Sequence, residues 1–110
     1  KDEPLTRRNK MHDYERYIRF LLSEGYEIDV DCEDDELLSR SKDFDAIKSA
    51  MQEVDECYVI AFEPENKARR FPKGSVSWGY MVLSNHPSEW LSDYPVNSVT
   101  RKFEHKFILN

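Results

Sequence analysis

The chain has 110 residues, room for one modest core and too little for two. Its 39% hydrophobic and 13% aromatic content supports a packed domain rather than a disordered one, and 35% charged residues give it a very polar surface. The net charge of −6 and the lack of an apolar run near the roughly 18 residues of a transmembrane helix argue against membrane insertion and against duplex DNA as a partner.

The first ten residues, KDEPLTRRNK, are polar and interrupted by Pro4, and read as a mobile arm ahead of a single domain over 11–110. They lack the hydrophobic core of a secretory signal, so a cytoplasmic location is the expectation. Met11, Tyr14, Ile18, Leu21 and Leu22 then recur at helical spacing, with Gly25 placed for a left-handed C-cap. YEIDVD alternates, which predicts a strand with Tyr26, Ile28 and Val30 on one face and its carboxylates facing water.

Leu37, Ser41, Phe44, Ile47, Met51 and Val54 continue a helical stripe. They predict helix from about Asp34 to Val54, and N-cap residues Ser41 and Asp43 mark a break near residue 42. CYVIAF, from Cys57, is the strongest strand signal and pairs antiparallel with a second strand over about Val76–Ser84. Asn85 or Ser84 would cap a short helix with Pro87 in its first turn, ended by Pro95. TRKFEHKFIL alternates and predicts a final strand. The resulting class is α+β, a small mainly antiparallel sheet of three or four strands with helices packed on it, in the order α-β-α-β-β-α-β.

The two cysteines, Cys32 and Cys57, form neither a CxxC pair nor a zinc motif. Cys57 reads as a small core residue, and Cys32 lies in an acidic stretch that makes it a poor nucleophile. The three histidines, His12, His86 and His105, have no metal spacing, and no Walker, GxSxG or dinucleotide motif occurs. No cofactor and no catalytic constellation follow from these residues.

Residues 1–55 carry 9 basic and 16 acidic side chains, whereas 56–110 carry 7 and 6. The acids peak in EIDVDCEDDE, with Asp29, Asp31, Glu33, Asp34, Asp35 and Glu36. This resembles the opening of an EF-hand loop, but Asp34 stands where the turn glycine belongs and Arg40 where the bidentate glutamate belongs. The segment therefore reads as a surface that steers a basic protein partner. The loop KARRFPK, with Lys67, Arg69, Arg70 and Lys73 around Phe71, has the opposite charge. It would touch a phosphate or an acidic protein, or offset the acidic half of its own molecule or of a dimer mate.

YMVLSNHPSEWLSDY resembles a segment of LuxR-type autoinducer-binding domains: an apolar strand, Asn-Tyr-Pro, two variable residues, Trp, and a Tyr four residues on. The preceding FDAIKSAMQEVDECYVIAFEP is similar to that family's helix and first strand, so the likeness covers about Phe44–Tyr94. It implies an α/β/α sandwich holding an acyl-type ligand between sheet and helices, with Trp90 and Tyr94 matching the family's tryptophan and later tyrosine. His86 stands in for the first tyrosine, and Tyr58 and Tyr80 would complete the pocket. The sequence departs from the family in having no Asp-Pro and no helix-turn-helix domain, with Phe103 at the position of the aspartate.

Two functions follow as expectations. The first is a non-catalytic regulatory or inhibitory protein that binds another protein through its acidic segment. The alternative is a small-molecule sensor using the five aromatic and imidazole side chains.

Overall fold

The computed structural model describes residues 11–64 and 74–107. The basic loop Lys67–Lys73 and the N-terminal arm lie outside the described residues. The protein is α+β, with the elements α1 (Asp13–Ser23), β1 (Glu27–Cys32), β2 (Asp35–Ser41), α2 (Phe44–Met51), β3 (Glu56–Phe62), β4 (Ser75–Val82), a 3-10 turn (Pro87–Glu89), β5 (Leu91–Asp93) and α3 (Ser98–Phe107). Among the described residues the sheet has five strands rather than three or four, all antiparallel, in the order β2-β1-β3-β4-β5.

Strand alternation assigns the two faces. Val30 lies opposite Val59 and Ile28 opposite Ala61, and Val59 in turn faces Gly79 and Cys57 faces Met81. These residues pack with Tyr14, Tyr17, Ile18, Phe20 and Leu21 of α1, Ile47 and Met51 of α2 and Phe103 of α3 in one core. The three helices of the described residues therefore cover the same face of the sheet. The sandwich implied by the family likeness would have helices on both faces. The other face carries Tyr58, Ile60 and Phe62 of β3 beside Tyr80 and Trp78 of β4.

Four local features of the sequence play out differently from the expectation. In α1 the buried stripe includes Tyr17 and Phe20, whereas Met11 is exposed and precedes the helix. Gly25 closes that helix at φ +94°, the left-handed conformation that glycine adopts without strain.

Residues 35–41 form β2, not helix. A two-residue turn, with Glu33 at φ +54°, folds β2 back on β1, and pairs such as Val30 with Leu38 satisfy its backbone. The helix starts only at Phe44, where the Asp43 carboxylate accepts the Asp45 N–H at 3.0 Å.

After Pro87 the chain makes a single 3-10 turn and not two turns of α-helix, and the His86 ring caps it by accepting the Ser88 N–H at 3.1 Å. Trp90 O accepts the Val82 N–H at 2.8 Å, which returns the backbone to the sheet edge as β5.

Residues 98–107 form α3 in place of the expected final strand. Asn97 and Thr100 cap its start reciprocally: Asn97 Oδ1 accepts the Thr100 N–H at 2.9 Å, and Thr100 Oγ1 accepts the Asn97 N–H at 3.0 Å. Phe103 and Phe107, one turn apart, then point to the same side, and their rings are 5.5 Å apart.

Candidate functional site

The six acids of the first segment are divided by the β1–β2 hairpin. Glu33, Asp34, Asp35 and Glu36 are exposed at its tip. Asp31 is half-buried beside Tyr58.

Asp29 does not face water: it is buried, and its carboxylate accepts the Arg40 N–H at 2.7 Å. Arg40 adopts φ +51° where the β1–β2 register shifts, so Asp29 holds a left-handed residue in place. The Arg40 guanidinium lies 4.2 Å over the Phe62 ring and 3.4 Å from Glu27. Asp29 is therefore a structural residue and no part of a partner-facing surface.

The hairpin tip meets a second acidic segment that the linear sequence does not connect to it. The corner between α2 and β3 contributes Glu53, Asp55 and Glu56, all exposed. The two segments border an open groove of about 530 Å³ lined by Cys32, Glu33, Glu53, Val54, Asp55, Glu56, Cys57, Tyr58 and Tyr80. No lysine or arginine is among these residues.

Tyr58 and Tyr80 face each other across β3 and β4 with ring centroids 5.0 Å apart. Tyr80 donates to Glu56 Oε1 at 2.6 Å, and this bond is the main reason its phenol is pushed up to about 12. Burial pushes the Cys57 thiol up to about 12, with Cys32 and Asp31 adding to the shift. Partial burial raises the Cys32 thiol as well, helped by Glu33, Asp35 and Glu56. The groove disfavours added negative charge throughout and carries a field suited to cations.

The five side chains of the sensor reading do not share one pocket. Tyr58 and Tyr80 lie on the helix-free face, while Trp90 belongs to the core under the helices. The Trp90 ring packs on Tyr14 at 4.6 Å, and its indole N–H donates to Asn85 O at 2.9 Å.

Tyr94 stacks on Tyr17 at 5.4 Å and donates to Glu104 at 2.8 Å. Burial, followed by that bond, pushes its phenol up to about 12. His86 is exposed, and its Nδ1 is occupied by Ser88. Among the described residues no group of three or more His, Cys, Asp or Glu side chains is placed to hold a metal ion, and no helix is long and apolar enough to cross a membrane.

Sequence reasoning missed Glu53, Asp55 and Glu56 as part of the site. Their acidity was visible, but their proximity to Glu33 depends on β1 pairing with β3. Comparison with protein-family models, curated proteins and solved structures returned no match.

Proposed function

We propose that this is a non-catalytic regulatory or inhibitory protein that docks a basic segment of another protein at the acidic end of its sheet. One observation carries the reading. Four exposed carboxylates (Glu33, Glu53, Asp55 and Glu56) converge from two chain segments on one groove that, among the described residues, is lined by two tyrosines and no cationic side chain. Asp34, Asp35 and Glu36 are exposed on the adjoining hairpin. Opposite charge steers the encounter, and the tyrosines offer rigid, amphipathic surface against which lysine or arginine stems pack.

A lysine- and arginine-rich peptide is the probe, with binding followed by calorimetry at two salt concentrations. Affinity is expected to fall roughly tenfold or more as salt rises from low to above-physiological levels, because exposed charges are screened. The triple variant Asp34→Lys/Asp35→Lys/Glu56→Lys should weaken binding by about 100-fold, on the order of 1 kcal/mol for each reversed contact. Ser49→Lys adds a positive charge on the exposed side of α2 and should change little. Binding insensitive to both salt and the triple variant would remove this end of the sheet as the docking surface.

A further inference from the structure

We infer that Cys32 and Cys57 are a cross-strand dithiol that closes to a reversible intramolecular disulfide, a redox-modification site at the end of the β1–β3 pairing. The register runs without a shift from Glu27 opposite Phe62 to Asp31 opposite Tyr58, so the next position places Cys32 opposite Cys57. Both residues still belong to strands there, Cys32 paired outward with Asp35 and Cys57 with Met81. They have the same alternation as Val30 and Val59, so both side chains leave the sheet on the same face.

Directly opposed residues in antiparallel strands have Cα atoms roughly 4.5–5.5 Å apart, inside the range of about 4.4–6.8 Å that disulfides span. Both cysteines are free thiols and both line the open groove, with Cys32 partly exposed and Cys57 buried behind it. A small oxidant thus reaches Cys32 first, and Cys57 is placed to resolve the adduct.

With a low-molecular-weight disulfide as oxidant, Cys32 loses its proton, its sulfur attacks one sulfur of the disulfide and one small thiol is expelled. Partial burial and nearby carboxylates raise the Cys32 thiol, so this step is slowed at neutral pH and quickened as pH rises. The Cys57 sulfur then attacks Cys32 Sγ and expels the second. Two protein S–H bonds and one small-molecule S–S bond are lost, one protein S–S bond forms, and two small thiols carry away the electrons and protons. The new bond ties the acidic hairpin to the central strand and encloses residues 33–56, which restricts the unfolded chain.

The test treats the reduced, isolated protein with diamide, a small neutral oxidant, and needs no docking partner, so it is independent of the binding proposal. The expected product is a monomer lighter by two hydrogens on intact-mass spectrometry, with no alkylatable thiol and full reversal by dithiothreitol. Its melting temperature should rise by on the order of 10 °C. Cys32→Ser, at the partly exposed position, should show neither the mass loss nor the shift. Persistence of two alkylatable thiols, or conversion only to mixed adducts and disulfide-linked dimers, would overturn the pairing.

Discussion

Phe103→Ala is expected to remove about 3–5 kcal/mol of stability, the usual result of emptying a fully buried aromatic site. Phe103 has 0% exposure, and its ring lies 5.0 Å from Tyr17, 5.7 Å from Phe20 and 5.9 Å from Tyr94. It is the main apolar anchor of α3, whose other buried residue is Thr100. A domain of this size has about 5–15 kcal/mol in total, so the substitution takes a large share. Urea denaturation should show the loss as a lower midpoint at unchanged slope. Phe103→Leu should retain more than half of the lost stability. A loss below about 1 kcal/mol for the alanine variant would mean that α3 is not docked through this ring.

Trp90→Ala is expected to cost a similar amount, about 3–5 kcal/mol. The indole is 7% exposed, packs on Tyr14, and has its N–H committed to Asn85 O. Trp90→Phe keeps most of the packing and loses that hydrogen bond, for which about 1–2 kcal/mol is expected. Urea midpoints for both variants should fall in this order. A Trp90→Ala protein of wild-type stability would show that the ring is not a core member, and only then would it be available to a small ligand. The same side chain carries the resemblance to LuxR-type autoinducer-binding domains, and in this structure its ring is engaged by Tyr14 and its N–H by Asn85 O.

Where one period dominated, the sequence was legible. The stripe through Tyr14, Ile18 and Leu21 gave α1, and CYVIAF gave β3 with β4 as its antiparallel neighbour. It misled where two periods coexist. Leu37 and Ser41 continue the three-and-four spacing of α2, but that spacing is only partly distinguishable from the alternation of a bulged strand, and the tight turn at Glu33 decides for the strand.

Phe103 and Phe107 are four apart, which satisfies a helix and an alternating strand equally. The distinguishing signal was Asn97 three residues before Thr100, a capping pair that terminates the ambiguity. Half of the acidic site was readable because Glu33–Glu36 follow one another. The rest required knowing that residue 56 returns beside residue 32, and that Asp29 is withdrawn to hold Arg40.

That return has a kinetic meaning. Among the described residues, β1 and β3 are the only neighbours in the sheet that are not also successive strands in sequence. A β1–β2 hairpin and a β3–β4–β5 meander can each form from local pairings on the microsecond scale, whereas joining them requires closing a loop that contains β2 and α2. The junction of β1 with β3, centred on Val30 and Val59, is thus the step expected to set the folding rate. Val59→Ala should act chiefly by slowing folding in stopped-flow chevrons, while Phe103→Ala should act chiefly by speeding unfolding. The sheet order thus predicts assembly as two halves, with their meeting as the slowest event.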